Sequence, residues 1–235
     1  MALRAATIDA FSSVPGLVHG FEQRSSTPKE ETRAKSRSRV AGALGGRGRL
    51  VLMKQVHGAT VVEAPWRATP EADAAFALAP GYLLGVETAD CLPILLVDPR
   101  RRWVAVAHAG WRGTAALVAK RALEALAARG SRPGDLLVAM GPGIGPCCYE
   151  VGDEVRTAFG PGGEAFFLFG PKGRPHLDVR AANVRQMLDA GARPDRLFHV
   201  PDCTRCRKDL YPSYRRDGKG AGRMISFVGF EAKAP

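Results

Sequence analysis

Short apolar runs separated by polar turns recur along the chain and predict a series of β-strands. These runs cover 51–63 (with a break at His57-Gly58), 82–87, 92–97, 103–108, 135–140, 196–200 and 224–230. The run 92–97 is almost wholly apolar, which is typical of a strand buried on both faces. Because the turn Asp98-Pro99-Arg100-Arg101 separates it from 103–108, these two strands are predicted to form a hairpin.

Helical spacing of apolar positions predicts helices between some of those runs. The clearest helix is predicted over 114–129, with Thr114 or Gly113 capping its start and Gly130 following its end. A second is predicted over 177–189, closed by Gly191, and a short one over 151–159. Because the elements alternate irregularly and the hairpin excludes a purely parallel sheet, we expect an α/β fold. More closely, the sequence predicts a mixed α+β sandwich with a mixed sheet, in a single domain over 1–235.

The segment 25–49 differs from the rest of the chain because it is polar, basic and poor in large apolar residues. We expect a basic, mobile loop that contains a short helix around 33–44. No internal repeat or linker is visible elsewhere, so no domain boundary is predicted.

The composition is that of a globular protein. The chain has 235 residues, of which 46% are hydrophobic and 24% charged, and no apolar run approaches the roughly 18–20 residues of a membrane span. Asp9 interrupts the apolar stretch that a signal peptide would need, and the five cysteines are an odd number in a chain too long to need disulfides. We therefore expect a cytoplasmic protein with reduced cysteines, and favour a monomer.

The net charge of +11 has two interpretations. An excess of 34 basic over 23 acidic residues is typical of proteins that bind nucleic acid or an anionic substrate, and equally of a bias towards arginine. The basic clusters at 33–49 and 205–223 contain few aromatic residues, which disfavours RNA binding. A non-catalytic nucleic-acid-binding module stays as an alternative, and its affinity would fall steeply with salt.

The cysteines outside the main motifs give no site by themselves. Cys203-Thr-Arg-Cys206 is a C-x-x-C motif for which a redox role stays open, but no second C-x-x-C completes a four-cysteine zinc site. Cys147 and Cys148 are adjacent and are interpreted as half-buried thiols.

Three segments stand out because each places one metal-binding side chain beside a glycine or at the end of a strand. They are Lys54-Gln-Val-His57-Gly, Thr88-Ala-Asp-Cys91-Leu-Pro and His108-Ala-Gly-Trp-Arg-Gly113. Two imidazoles and a thiol at such long intervals suit a site assembled from the ends of different strands. A His₂Cys set leaves one tetrahedral position open, as catalytic zinc sites do. Taken singly, each residue is also typical of a packed structural position.

The same three segments resemble the signature of the YfiH family, also called the multicopper polyphenol oxidase or laccase-domain family. The resemblance covers about 52–230 and continues, in the same order, through Gly141–Pro146, Tyr149–Val155, Ser213–Gly218 and Gly222-Arg223. It implies a sandwich related to certain cysteine-dependent deamidating toxins (a CNF-like fold). It also implies that zinc is bound at the positions of His57, Cys91 and His108.

The activity implied by this resemblance is phosphorolysis of purine nucleosides, with Cys91 and His108 as candidate catalytic residues. Phosphate would convert adenosine, inosine, guanosine and 5′-methylthioadenosine to the base and ribose 1-phosphate or its methylthio analogue. Adenosine deamination is attributed to the same site. The expected partners are therefore small molecules, purine nucleosides and phosphate, rather than a membrane or a nucleic acid.

Older family names leave two further hypotheses open. One is a copper-dependent polyphenol oxidase (laccase), which fits poorly because a multicopper site needs more histidines than the five of this chain. Copper can nevertheless occupy a single soft site. The other is a peptidoglycan editing factor, in which Cys91 and His108 would act as a metal-free dyad in amide hydrolysis.

Four arginines are candidates for binding phosphate or substrate. Arg112 follows His108 and precedes the helix predicted at Thr114, whose N-terminus is suited to an anion. Arg215 and Arg216 belong to the C-terminal motif. Arg24 is the expected counterpart of an arginine in the family's Thr-Arg-x-Gly-Gly-like stretch, although the glycine pair is missing here. Because this N-terminal third departs from the family pattern, the preferred nucleoside stays open.

Two carboxylates complete the set of candidates. Each metal-binding imidazole needs an acceptor for its other ring nitrogen, and Asp90 is the candidate acceptor. Deamination also needs a glutamate as proton shuttle. The sequence shows no signature for such a glutamate, and Glu87 is named as the shuttle without support from a motif.

Overall fold

Two β-sheets packed face to face form the centre of the computed structural model, which describes residues 3–24, 33–170 and 173–232. The strands are β1 (Ala5–Ala6), β2 (Leu17–Glu22), β3 (Arg49–Leu52), β4 (Val61–Ala64), β5 (Ala74–Ala77), β6 (Tyr82–Thr88), β7 (Leu92–Asp98), β8 (Trp103–Ala109), β9 (Leu137–Met140), β10 (Phe167–Phe169), β11 (Pro175–Leu177), β12 (Leu197–His199) and β13 (Met224–Phe230). The helices are α1 (Asp9–Ser12), α2 (Arg33–Ala43), α3 (Trp111–Ala115), α4 (Val118–Ala128), α5 (Asp153–Ala158), α6 (Val179–Asp189) and α7 (Tyr214–Asp217). Within these ranges, no helix has the length and apolar character to cross a membrane.

Both large sheets are mixed. The first has the order β1-β2-β13-β6-β3, and the second has the order β12-β9-β7-β8-β5-β4. In the first, β13 runs antiparallel to β2 and to β6, while β3 runs parallel to β6. In the second, β7 and β8 form the predicted hairpin, paired from Leu92↔Ala109 to Asp98↔Trp103. The α/β class with a mixed sheet, predicted from the sequence, is confirmed.

The alternation of apolar side chains along β7 explains how the layers stack. Leu95 and Val97 point into the core between the two sheets, whereas Ile94 and Leu96 point to the opposite face. On that opposite face, α4 and α6 cover the second sheet. A strand packed on both faces must be apolar throughout, and burial of each such side chain contributes about 1.5–3 kcal/mol.

The helix predicted over 114–129 is wrong at its start. The chain forms α3 and α4, separated by Leu117, whose φ of 64° lies in the left-handed region and ends the first helix. Gly130, with a φ of 106°, follows α4 as predicted. The helix α6 begins at Val179 because the Asp178 carboxylate accepts a hydrogen bond from the backbone N–H of Ala181 (2.9 Å).

The basic segment divides into two parts. Residues 25–32 lie outside the described residues, so the mobility expected there stays a prediction. The short helix expected around 33–44 is present as α2. Its Val40, and Leu44 directly after its end, are buried against the outer face of the first sheet. Arg39 on this helix pairs with the buried carboxylate of Glu22, which also accepts a hydrogen bond from the backbone N–H of Ile225 (2.8 Å).

His19 in β2 is a neutral, buried imidazole beneath α1. Its Nε2 accepts a hydrogen bond from the backbone N–H of Ile8 (2.9 Å), and its ring lies 5.2 Å from that of Phe11. Burial lowers the pKa of His19 to about 4. The folded state therefore binds a proton at this site less readily than the unfolded chain does.

This difference predicts a loss of stability in mild acid. The contribution of neutral His19 is fully present above pH 6.5 and is lost as the pH falls from 6.5 towards 4, because only the unfolded chain takes up the proton. Between pH 7 and pH 5, we expect the wild type to lose about 2 kcal/mol more free energy of unfolding than His19→Gln. Urea denaturation at both pH values measures this, with the exposed His199→Gln as control. Equal losses in the wild type and His19→Gln would contradict it.

Candidate active site and metal centre

A cavity of about 640 Å³ opens where the chain passes from one sheet to the other. The strand β6 of the first sheet ends at Thr88, and β7 of the second begins at Leu92, so Cys91 lies in the crossing. His108 lies near the end of β8, and His57 lies in the loop between β3 and β4. Further lining residues are Arg37, Met53, Lys54, Gln55, Thr69, Glu87, Thr88, Ala89, Asp90, Gly110, Trp111, Arg112, Ile144, Tyr149, Tyr214, Arg215 and Arg223.

The structure brings together His57, Cys91 and His108. Their ligand atoms all lie within 4.8 Å of one another, and the two imidazole rings are 4.9 Å apart, tilted by 75°. His108 is buried, Cys91 is half-buried and His57 is exposed. The three therefore converge from three separate segments, and the cluster can hold a metal ion.

The backbone is shaped for this convergence at two points. His57 has a φ of 62°, a left-handed conformation that turns the loop back after Val56. Gly110 follows β8 opposite Cys91, since the register pairs Leu92 with Ala109. A side chain at Gly110 would place its Cβ 2.9 Å from the Cys91 sulfur, so only glycine leaves room for the thiol.

Asp73 is the carboxylate that holds both histidines, and the sequence analysis missed it. Its side chain is fully buried and accepts hydrogen bonds from the backbone N–H groups of Val56 (3.1 Å), His57 (3.0 Å) and Gly58 (2.7 Å). Its Oδ1 also lies 2.8 Å from Nδ1 of His108. A single anion thus fixes the His57 loop and the orientation of the His108 ring. The signal in the sequence was an isolated aspartate directly before an apolar strand.

Asp90, the acceptor proposed from the sequence, has a different role. Its carboxylate accepts hydrogen bonds from Oγ1 of Thr204 (2.6 Å) and from the backbone N–H of Arg215 (2.7 Å). It therefore fastens the C-terminal loop to the cavity, and neither of these hydrogen bonds involves a histidine.

The Cys91 thiolate and the His108 imidazolium each favour the charged form of the other. Burial opposes ionisation of the Cys91 thiol, but the neighbouring imidazolium charge of His108 and hydrogen bonds from both histidines lower the pKa of Cys91 to about 6. Burial also disfavours the charged form of His108, yet the Cys91 thiolate and Asp73 raise the pKa of His108 to about 9. The thiol is thus prepared to bind as a thiolate. With Nδ1 of His108 directed at Asp73, its Nε2 is left for a metal ion.

Two of the four candidate arginines line the cavity. The guanidinium of Arg112 lies 4.2 Å from the ring centre of Trp111, and that of Arg215 lies 5.3 Å from the ring centre of Tyr149. Nη1 of Arg215 donates to the Glu150 carbonyl (2.8 Å). Both side chains therefore form part of the wall beside the His–Cys cluster.

Arg24 and Arg216 are not among the residues that line this cavity, and their binding of phosphate or substrate stays a prediction. Arg24 pairs with Asp217 (3.5 Å), and Arg216 donates to both oxygens of the same carboxylate (2.9 and 2.8 Å). Arg216 also donates to the carbonyls of Thr204 and Arg205 (3.0 Å each). These guanidinium groups thus cross-link the C-terminal loop.

Further charged residues of the cavity wall were not found from the sequence. Arg37 donates to both carboxylate oxygens of Glu87 (3.0 and 2.6 Å). The backbone of Glu87 exchanges two hydrogen bonds with the Gln55 side chain (2.8 Å each), which ties the His57 loop to β6. Lys54 and Arg223 add positive charge to the lining, so cationic groups outnumber carboxylates there.

Comparison with known proteins gives consistent matches. Residues 23–231 match the family described as "Multi-copper polyphenol oxidoreductase laccase". The chain is 39% identical over 210 residues to a purine nucleoside phosphorylase of Deinococcus radiodurans, covering 89% of this chain and 81% of the relative. It is 39% identical over 155 residues to adenosine deaminase RL5 of an unknown prokaryotic organism, covering 63% and 58%. The crystal structure of YlmD from Geobacillus stearothermophilus superposes with a TM-score of 0.84 at 31% identity, over 93% of each chain.

The position of Asp73 leads to a testable prediction. In Asp73→Asn the amide can accept through only one oxygen, and its NH₂ group would face backbone N–H donors. We expect the metal affinity of the His57–Cys91–His108 cluster to fall by about 10- to 100-fold.

A competition titration with a chromophoric zinc chelator measures this affinity. The reference is Cys91→Ala, which lacks the cluster's thiol, and the exposed Asp189→Asn is the matched control. An unchanged affinity in Asp73→Asn would show that the histidines are positioned without this carboxylate.

Proposed function

The chain belongs to the multi-copper polyphenol oxidoreductase laccase family, and on this premise we propose that it is a zinc-dependent purine nucleoside phosphorylase. The observation that carries the proposal is a single cavity in which a His₂Cys ligand set lies beside an excess of cationic side chains. Its substrates are adenosine, inosine, guanosine and 5′-methylthioadenosine with phosphate, and adenosine deamination is a side activity. The names of the Deinococcus radiodurans relative and of adenosine deaminase RL5 support both activities.

The metal assignment is supported by the donor set. Two imidazoles and a thiolate suit zinc, and Asp73 supplies the outer acceptor that zinc-binding histidines usually have. Bound by His57, Cys91 and His108, zinc would supply Lewis-acid polarisation of an oxygen ligand or lower the pKa of a water molecule. This chain's part is to keep Cys91 ionised and both rings oriented.

In the proposed reaction, a phosphate oxygen bonds to C1′ of the nucleoside while the bond from C1′ to N9 breaks. The base leaves with the electron pair of that bond and takes up a proton, and phosphate gives up its hydroxyl proton. Arg112 and Arg215 bind phosphate oxygens and orient the nucleophile. The aromatic rings of Trp111 and Tyr149, which line the same cavity, offer stacking surfaces for the purine.

Deamination would use a related ligand set, since zinc deaminases of nucleobases hold their zinc with one His and two Cys or with three Cys, whereas this cluster offers two His and one Cys. Their proton-shuttling glutamate has a counterpart only in Glu87, which lines the cavity. Both of its carboxylate oxygens are engaged by Arg37. This pairing favours phosphorolysis as the main reaction.

A second candidate function is the metal-free Cys91–His108 dyad in amide hydrolysis, as an editing role on peptidoglycan precursors would require. The lowered pKa of Cys91, about 6, favours it because a thiolate is the reactive nucleophile. The copper oxidase hypothesis has less support. Of the five histidines, His57 and His108 belong to the cluster, and the other three, His19, His176 and His199, join no group of metal-binding side chains among the described residues, as a multicopper centre would require. A cytoplasmic location and a monomeric state complete the proposal.

The proposal predicts products that depend on phosphate. With zinc-loaded protein, adenosine and phosphate, we expect adenine and ribose 1-phosphate. Without phosphate, we expect neither of these products and only a minor yield of inosine. Chromatography of the products measures this, and Cys91→Ala should be inactive. If no purine nucleoside gives a product, the phosphorylase proposal fails, and release of an amine from peptidoglycan fragments would instead support the dyad.

The role of the wall arginines can be tested in the same assay. We expect Arg112→Ala to raise the KM for phosphate by about 10- to 100-fold, because a charge-assisted hydrogen bond contributes roughly 1.5–3 kcal/mol. The KM for the nucleoside should change much less. The control is Arg193→Ala, since Arg193 is exposed and pairs only with the neighbouring Asp195 among the contacts described for it (2.9 Å). Equal effects on both KM values would argue against phosphate binding by Arg112.

A further inference from the structure

A second group of soft ligands lies outside the cavity, in two loops that are distant in sequence. Cys147 and Cys148 follow β9, and Cys203 and Cys206 follow β12. Their four sulfur atoms lie within 4.8 Å of one another. The adjacent pair Cys147-Cys148 thus supplies the two thiols that a second C-x-x-C motif would have supplied. This corrects the conclusion, drawn from spacing alone, that the C-x-x-C motif has no partner.

We propose that these four cysteines bind one structural zinc ion, separate from the His57–Cys91–His108 cluster. Four thiolates form the closed ligand set of structural zinc sites, with no position left for water or substrate. Zinc–sulfur bonds of about 2.3 Å in a tetrahedron place neighbouring sulfurs about 3.8 Å apart. Cys206 Sγ lies 3.8 Å from that of Cys147 and 3.4 Å from that of Cys148. The cage therefore has the dimensions of a mononuclear site.

These distances also decide between zinc and an iron–sulfur cluster. Such a cluster is likewise held by four thiolates. It places several irons and inorganic sulfides between them, however, and so holds its cysteine sulfurs farther apart than one ion does. With all four sulfur atoms within 4.8 Å, a single ion fits and a cluster does not.

Two hydrogen-bond donors that do not belong to the cysteines are directed at sulfur atoms of this group. The backbone N–H of Gly145 donates to Sγ of Cys203 (3.3 Å), and the guanidinium of Arg205 lies 3.5 Å from Sγ of Cys148. Such donors offset part of the negative charge that four thiolates place on a doubly charged ion. They also fix the loop geometry before the ion arrives, which lowers the cost of binding.

The position of the proposed zinc indicates what it would do. Thr204, between two of the ligands, donates to Asp90 through Oγ1 (2.6 Å), and its backbone N–H donates to the Gly143 carbonyl (3.1 Å). Asp90 in turn holds the backbone of Arg215 and, through its carbonyl, that of Ile144 (2.8 Å). The ion would therefore clamp together the two loops that carry one wall of the cavity. This role does not depend on which reaction the cavity performs.

The variant Cys91→Ala isolates the proposed four-cysteine site. The chain has five cysteines, so the variant keeps only Cys147, Cys148, Cys203 and Cys206. Cys91→Ala protein is purified under reducing conditions without added metal, and its metals are measured by mass spectrometry. We expect one zinc per chain. Titration with an organomercurial reagent, followed with a zinc indicator, should release that zinc as the four thiols react. Substituted cobalt should show the intense sulfur-to-metal charge-transfer bands of a four-thiolate site.

Two further variants in the Cys91→Ala background separate loss of a ligand from disorder of the loop. Cys206→Ser should lose the zinc, whereas Thr204→Val, which removes only the hydroxyl bonded to Asp90, should retain it. If circular dichroism shows that Cys206→Ser does not fold, the mercurial titration of Cys91→Ala still tests whether the four thiols hold the zinc. Absence of zinc, one equivalent of iron or copper instead, or a mass deficit of two hydrogens that reveals a disulfide would overturn the proposal. Since no nucleoside enters this experiment, its outcome leaves the proposed activity untouched.

Discussion

The carboxylate of Asp73 accepts four hydrogen bonds while fully shielded from solvent, and both imidazoles of the site depend on it. A buried carboxylate is costly unless its lone pairs are satisfied, so the protein cannot keep this anion without the turn at His57 and the ring of His108. Hydrogen bonds from His108 and from the backbone of Gly58 and Val56 outweigh burial and hold the pKa of Asp73 below its ordinary value. The same charge then favours the imidazolium of His108, which in turn favours the Cys91 thiolate. One anion thus sets the protonation of a pair of groups as well as their positions.

Positive charge predominates in the cavity, because the carboxylates that line it are already paired with other groups of the protein. Glu87 is neutralised by Arg37, and Asp90 is engaged by Thr204 and the backbone of Arg215. The carboxylates therefore have structural partners. Arg112 instead lies against the face of an aromatic ring, which leaves its donors available to an anion. A cavity arranged in this way favours an anionic ligand beside the His57–Cys91–His108 cluster, in agreement with the proposed phosphate co-substrate.

The elements that could be predicted from the sequence are those with a local cause. The strands β7 and β8 were predictable because apolar character and a Pro-containing turn are local patterns, and so was Gly130 after α4. The break at Leu117 was not, because a left-handed leucine gives no signal in the spacing of apolar residues. Among site residues, His57, Cys91 and His108 were found through motifs. Asp73 was missed because three of its four partners are backbone N–H groups, which have no sequence signature, and the fourth, the His108 ring, is distant in sequence. The sequence analysis likewise treated Cys147 and Cys203 as unrelated, because only the folded loops bring these two cysteines together.

The order of strands in the first sheet has a consequence for how the chain reaches its folded state. Its central strand, β13, is the last strand along the chain and lies between β2 and β6. While the chain is being synthesised, β2 and β6 have already left the ribosome, but the strand that joins them has not. Until β13 is synthesised, one edge of β2 and one edge of β6 have unpaired backbone N–H and C=O groups, and such edges are prone to aggregation. A nascent chain that stalls before residue 224 would therefore be a preferred client of chaperones or proteases.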